Sequence, residues 1–334
     1  MKIAIVGASG AVGREMIEEL ENSSLQDIEL FLFASPRSEG QSASFRGKNI
    51  TIRAFAPDLL KGIPWVLMSA GGAFSKEHSR GLVERGCTVI DNSSAWRMDS
   101  QVALIVPEVN GDVLREAKGP RIIANPNCST IQMVVALKPL EQAFGIDMVQ
   151  VATYQSVSGS GQKGISELSS QLDKHLRFQE ITPQLYAQPI AFNVLAAIDK
   201  LDDAGHCYEE EKMVRETRKI LGREDMQVLA TTVRVPVFHC HSESIAVRLK
   251  RPVTLDEAVR TLQSGEGMTV VHPGDHSNFP TPRSVTGDPG VWVSRVRLPL
   301  GAERSEWLQF WVVADNLKKG AATNAVQILQ KLVS

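Results

Sequence analysis

The sequence predicts an α/β chain that opens as a doubly wound, mostly parallel sheet and continues as an α+β domain on an antiparallel or mixed sheet. Three observations carry this. Gly7, Gly10 and Gly13 stand between an apolar strand and an amphipathic helix. Short apolar runs alternate with helical stretches up to about residue 127, the pattern of βαβ units. Beyond that point the β-rich runs lengthen, with links that read as hairpins.

Taken in order, Ile3-Ala4-Ile5-Val6 is apolar throughout, as a strand buried on both faces must be. Arg14 to Leu20 follows with Met16, Ile17 and Leu20 at helical spacing. Ile28 to Ala34 closes a β-α-β unit of about 35 residues. Trp65 to Met68, Thr88 to Ile90 and Arg121 to Ala124 read as further strands, with a helix around Ser75 to Arg85. After Asn125-Pro126-Asn127 the pattern predicts a helix from Cys128 to Ala143 and a long strand from Met148 to Ser156. Thr231 to Phe238, Ser244 to Leu249, Val291 to Leu298 and Trp307 to Ala314 are β-rich. Gly320-Ala321-Ala322 opens a last helix with Ala325, Ile328, Leu329 and Leu332 on one stripe.

Composition excludes several classes of function. The 334 residues suffice for two domains, and 43% hydrophobic content is that of a globular chain. Lys+Arg 36 against Asp+Glu 38 leaves a net charge of −2, which gives no electrostatic case for nucleic acid or an anionic membrane. No apolar run approaches the roughly 18 residues of a membrane span, and the first one ends at Gly7, too early for a signal peptide. The four cysteines are too scattered for a disulfide framework. A soluble, cytoplasmic protein is expected.

Gly7-Ala8-Ser9-Gly10-Ala11-Val12-Gly13 places a G-x-x-G-x-x-G turn where a dinucleotide pyrophosphate meets a helix N-terminus. An NAD site usually ends its second strand in a carboxylate. Here that strand runs into Ser35-Pro36-Arg37-Ser38, so Ser35, Arg37 and Ser38 are donors for a 2′-phosphate and NADP is the expected coenzyme. Cys128 sits at a helix start, where the macrodipole favours a thiolate; a buried structural cysteine is the alternative. Cys87 and Cys207 read as sheet-edge or loop residues. His239-Cys240-His241 reads as strand, with the two histidines on one face and the thiol on the other, so no metal site is expected.

The segments GASGAVG, SAGG from Ser69, DNSSAWRM from Asp91, NPNCST from Asn125 and YQSVSGSG from Tyr154 closely resemble aspartate-semialdehyde dehydrogenases, as do RVPVFHCHSES from Arg234 and ADNLKKGAATNAVQI from Ala314. The resemblance implies a Rossmann-type NADP-binding domain of residues 1–127 plus about 315–334, the C-terminal helix returning to it, and a catalytic and dimerisation domain of residues 128–314. It implies reversible, NADPH-dependent reductive dephosphorylation of 4-phospho-L-aspartate to L-aspartate 4-semialdehyde and phosphate. That reaction serves lysine and diaminopimelate, threonine, methionine and isoleucine biosynthesis, in a homodimer or homotetramer.

Site residues follow position by position. The resemblance makes Cys128 the nucleophile, His241 the acid/base and Gln155 the residue that positions the acyl intermediate. It assigns Arg234 to the α-carboxylate, Arg97 and Lys212 to phosphate, and Glu209 to the ammonium, with Asn127 beside the thiol. Glu210 and Glu211 adjoin Glu209, which leaves open which of the three meets the amine. Besides the glycine loop and Ser35, Arg37 and Ser38, the coenzyme set is Ser69, Gly71, Ser158, Gly159 and Asn316. Two other readings are an N-acetyl-glutamyl-phosphate reductase, which needs no carboxylate for an uncharged amide, and a non-catalytic NADP-binding homologue, against which Cys128 argues.

Overall fold

The computed structural model describes residues 1–334. They divide into two compact units, Met1–Asn127 with Gly320–Ser334, and Cys128–Lys319.

In the first unit the strands are β1 (Lys2–Val6), β2 (Glu29–Ala34), β3 (Ser42–Phe45), β4 (Lys48–Ala54), β5 (Trp65–Met68), β6 (Thr88–Asp91), β7 (Ala103–Leu104) and β8 (Ile122–Ala124). They form one sheet in the order β3-β4-β2-β1-β5-β6-β8-β7. Every pair is parallel except the hairpin β3–β4. The order reverses at β1, the switch point of a doubly wound sheet. Alternation along β1 explains its unbroken apolar run. Ile3 and Ile5 enter a cluster with Met16, Ile17 and Leu20 of helix α1 (Ala11–Asn22) and with Ala325, Ile328 and Leu329 of the C-terminal helix Thr323–Val333. Ala4 and Val6 enter the opposite cluster with Leu82 of helix α2 (Gly72–Glu84).

Two features depart from the sequence pattern here. The hairpin β3–β4 has no long apolar stripe, since only Phe45 and Ile52 are buried. Residues Lys318–Ala322 form a π-helix turn, so the last α-helix starts at Thr323 rather than at Gly320.

The second unit contains α3 (Cys128–Phe144), β9 (Ile146–Gln155), α4 (Gly161–Leu176), α5 (Tyr208–Leu221), β10 (Gln227–Arg234), β11 (His241–Val253), α6 (Leu255–Gln263), β12 (Met268–Val270), β13 (Val291–Arg297) and β14 (Ser305–Ala314). Its sheet is mixed, in the order β10-β9-β11-β14-β13-β12. β10 runs parallel to β9, so the chain needs α4 and α5 to cross over. Strands β9, β11 and β14 are antiparallel neighbours.

One face of this sheet carries Val149, Val151, Ile245, Val247, Leu308 and Phe310, all buried, and α3 packs against β11 and β14. The other face presents Tyr154 and Leu229, both exposed, and the Tyr154 ring lies 5.4 Å from that of Trp311.

The expected strand over Thr231 to Phe238 stops at Arg234, because Pro236 cannot donate to a ladder. The reading of His239-Cys240-His241 as strand is therefore corrected. Residues 235–240 form a loop, Cys240 has φ of 68°, and β11 begins only at His241. Cys87 and Cys207 stand outside the strands, Cys87 just before β6 and Cys207 at an isolated bridge to Leu201, and both are buried. Cys207 stands at the head of α5, its Sγ 3.0 Å from Thr232 Oγ1.

Candidate active site

In the first unit the glycine loop is closed by contact. Gly7 has φ of +94°, a Cβ on it would lie 2.2 Å from the Ser69 carbonyl oxygen, and one on Gly13 would lie 2.2 Å from the Gly7 oxygen. The N–H groups of Gly7 and Ala8 both donate to Phe33 O, at 2.8 and 3.0 Å. Gly10 stands at the N-cap of α1 without a side-chain cap, so the first-turn amides at Ala11, Val12 and Gly13 remain for an anion. Ser38 Oγ donates to Ser9 Oγ at 3.0 Å, which brings the end of β2 against the glycine loop. Ser35 and Arg37 are exposed beside it, and Gly71, φ +89°, precedes α2. The Arg97 guanidinium is fixed by the carbonyls of Asn125 (3.0 Å) and Asn92 (2.9 Å). Asn127 is buried at the end of this segment. These residues fit a dinucleotide: backbone donors for the pyrophosphate, and a second strand without a carboxylate.

In the second unit, register assembles the remaining residues. Arg234 pairs with Gln155 across β10 and β9. Ser242 pairs with Tyr154 across β11 and β9, so one step further His241 comes level with Gln155. Arg234, Gln155 and His241 thus form a row on the inward face, all buried. The row beneath is Thr232, Thr153 and Glu243, also buried, and only below that does the apolar core begin.

Ser156, just past β9, ties the row together. Its carbonyl accepts from Arg234 Nη1 at 2.7 Å, and its N–H donates to His241 Nδ1 at 3.1 Å. Its hydroxyl lies 3.2 Å from the same Nδ1 and donates to Asn316 Oδ1 at 3.1 Å. Asn316 Oδ1 also accepts from Ser158 Oγ and from the Cys240 N–H, both at 3.0 Å. The Ser158 hydroxyl and the Asn316 carbonyl oxygen, expected at the coenzyme, are therefore committed to each other.

His241 is fully buried, and its Nε2 has no partner. A Cβ on Gly159 would come within 3.3 Å of Nε2 and 2.8 Å of Arg234 Nη1, so this glycine keeps the space before both groups open. Desolvation, reinforced by the Arg234 charge, drives the His241 pKa down to about 3, against an opposing pull from Glu209. The ring is neutral, and the Ser156 N–H directed at Nδ1 keeps that nitrogen bare, so the ring proton stands on Nε2.

The structure separates the three glutamates. Glu209 is buried, with Oε1 accepting from Gln155 Nε2 (3.1 Å) and Oε2 from Lys212 Nζ (2.9 Å). Glu210 caps α5, accepting the N–H of Cys207 and that of Thr232. Glu211 pairs with Arg215 on the surface. Lys212 also holds Asp199, at 2.8 Å, a residue the sequence pattern did not single out. Burial opposes the Lys212 ammonium, but Glu209 and Asp199 outweigh it and raise its pKa. Cys128 is half-buried at the first position of α3. One turn on, Gln132 Nε2 donates to the His241 carbonyl at 3.3 Å.

The chain is similar over nearly its whole length to known proteins. Residues 2–117 match the family model of the semialdehyde dehydrogenase NAD binding domain, and residues 137–319 that of its dimerisation domain. An aspartate-semialdehyde dehydrogenase of Aquifex aeolicus is 46% identical over 99% of this chain and 98% of its own length. One of Bacillus subtilis is 42% identical, over 99% and 97%. The crystal structure of aspartate semialdehyde dehydrogenase II complexed with ASA from Vibrio cholerae superposes with a TM-score of 0.94 at 42% identity, covering 99% of this chain and 98% of that one. An aspartate semialdehyde dehydrogenase with NADP from Candida albicans gives 0.75 at 25% identity, covering 99% and 98%.

The neutral, buried imidazole has a measurable consequence. In histidine NMR spectra of the folded protein, His241 should stay neutral down to about pH 5, well below the ordinary value for the side chain. Because folding depresses this pKa, its contribution to stability is complete above the ordinary value of 6.5 and is lost as pH falls toward about 3. A His241 resonance that titrates at its ordinary value would contradict the buried geometry.

Proposed function

The chain belongs to the aspartate-semialdehyde dehydrogenase family, and we propose that its reaction runs through a thioester on Cys128. The reaction is the reversible, NADPH-dependent reductive dephosphorylation of 4-phospho-L-aspartate to L-aspartate 4-semialdehyde and phosphate, a step of amino-acid biosynthesis. One observation carries the assignment of roles: the buried row Arg234–Gln155–His241, bordered by Glu209 and Lys212, offers opposite charges to a substrate anionic at two ends and cationic at its amine.

The Cys128 thiolate, favoured by the N-terminus of α3, attacks the acyl phosphate and expels phosphate, which divides one hard displacement into two steps. Each tetrahedral intermediate carries an oxyanion, for which first-turn amides of a helix are preorganised donors. His241, whose Nδ1 accepts the Ser156 N–H and whose ring proton therefore stands on Nε2, donates that proton to the oxygen of each tetrahedral intermediate. It takes the proton back as each intermediate collapses, first to the thioester with loss of phosphate and then, in the reductive direction, to the aldehyde with loss of the Cys128 sulfur. Gln155 orients the acyl group, held itself by Glu209 and by Thr153 Oγ1 at 3.3 Å. The Arg234 fork takes the α-carboxylate. Glu209 takes the ammonium, and Arg97 and Lys212 take phosphate. Substrate then exchanges the Glu209–Lys212 pair for two new ones, so the site is charge-balanced with and without it.

NADP fits the first unit, where the glycine loop meets the pyrophosphate and Ser35, Arg37 and Ser38 meet the 2′-phosphate; when bound it supplies the hydride. The exposed sheet face around Tyr154, Leu229 and Trp311 is assigned to a second copy of the chain, giving at least a homodimer.

Two experiments test this reading. Steady-state NADP reduction should require aspartate semialdehyde and phosphate together, with little rate from N-acetyl-glutamate semialdehyde, and Cys128→Ser should bind NADP yet lose turnover by roughly three or more orders of magnitude. Retained turnover in Cys128→Ser would overturn the nucleophile. For the coenzyme, Arg37→Ala should weaken NADP roughly ten- to hundredfold, the worth of one charge-assisted hydrogen bond, and leave NAD nearly unchanged. Equal loss with both coenzymes would mean that Arg37 does not meet the 2′-phosphate.

A further inference from the structure

Glu243 is used by none of these steps. It lies two residues beyond His241 on the same inward face of β11, level with Thr153 of β9 and Val312 of β14. Its exposure is 0%, and neither carboxyl oxygen has a hydrogen-bond partner. Beside it, on α3, is the amide of Gln132, the one side chain that acts on the carboxyl. Gln132 is buried too, and its Oε1 is likewise unpartnered, while its Nε2 is committed to the His241 carbonyl. These buried groups thus hold three acceptor oxygens without a partner and no free donor, so the cluster lacks a hydrogen.

Turning the amide over does not help, because it would set Oε1 against the His241 oxygen. An ionised Glu243 would leave a buried charge with no cation to balance it, a state that interiors do not sustain. A protonated carboxyl supplies the missing donor. We propose that Glu243 is a neutral carboxylic acid whose O–H donates to Gln132 Oε1, so that the chain Glu243–Gln132–His241 carbonyl fastens the cysteine-bearing helix to the histidine-bearing strand. Burial pushes the Glu243 carboxyl well above the ordinary carboxylate range and so acts in the same direction, outweighing the opposing effect of the Gln132 amide. Cys128 heads α3 one turn before Gln132, and His241 heads β11, so this one link sets how the two reacting elements stand. Glu243 is a positioning residue. It touches no substrate.

The inference rests on the roles given above to Cys128 and His241, and its test separates the two. Infrared difference spectra of wild type against Glu243→Gln at neutral pH should contain the carbonyl band of a protonated carboxylic acid, shifting in deuterated water. Glu243→Gln, which keeps a donor toward Gln132, should retain kcat within about twofold. Glu243→Leu, which fills the space without one, should lower kcat roughly ten- to hundredfold, as misplacement of reacting groups does. KM for the semialdehyde and for phosphate should move less than about threefold, because no binding group is lost. If Glu243→Leu does not fold, Gln132→Met carries the same kinetic comparison from the helix side. Absence of the protonated band, or a Glu243→Gln as slow as Glu243→Leu, overturns the proposal. An error in the nucleophile would instead appear as an active Cys128→Ser with the infrared band intact.

Discussion

The second unit depends on a single register, that of β9 between β10 and β11. Pairing Arg234 with Gln155 and Ser242 with Tyr154 brings arginine, glutamine and histidine side by side on the inward face. A slip of β9 by one residue would turn Gln155 outward, away from Arg234 and His241, and bring Tyr154 in, since side chains alternate across a strand. The rows below enforce the alignment. Val151 and Ile245, then Val149 and Val247, are apolar and buried on the same face, so any slip would also expose the core. The hydrophobic effect that folds this sheet is thus what aligns its polar end.

A buried polar row holds its geometry only if its groups are satisfied. Ser156 and Asn316 do most of this, since backbone and side chain of Ser156 reach both Arg234 and His241, and Asn316 Oδ1 gathers three donors. One of those donors is the N–H of Cys240, which stands in the left-handed region. For a residue with a Cβ that conformation costs on the order of 1–2 kcal/mol, and it is kept beside His241, where strain is commonly retained for function. By contrast His241 Nε2 is left without a partner, facing space that Gly159 keeps open. The Ser156–Asn316 network thus holds His241 through Nδ1 and leaves Nε2 for chemistry.

Local pattern made part of this legible. The glycine turn, the apolar run of β1 and the helix start at Cys128 each follow from short-range rules, and each element stands within a few residues of its expected place. The misses share a physical cause. β3 and β4 join the sheet without an apolar stripe, so alternation could not announce them. His239 and Cys240 looked like strand because loops of mixed polarity resemble one until a proline is weighed. Glu209, Glu210 and Glu211 are indistinguishable as a string, yet helical rotation sends one to Gln155, one to the α5 cap and one to solvent. Asp199 reaches Lys212 from a loop, a contact that no spacing encodes. The pairing of Glu243 with Gln132 joins residues more than a hundred positions apart, on different elements.

In the proposed thioester mechanism, covalent chemistry is carried by Cys128 at the head of α3, with His241 serving it. Direct observation of the acyl-enzyme tests it best. Wild type and a His241→Ala variant would be mixed with aspartate semialdehyde and NADP in the absence of phosphate, quenched in acid and digested for mass spectrometry. The account predicts a hydroxylamine-labile aspartyl adduct on the peptide containing Cys128, and none on the peptides containing Cys87, Cys207 or Cys240. An adduct on another cysteine, or NADP reduction that proceeds with Cys128 unmodified throughout, would contradict it.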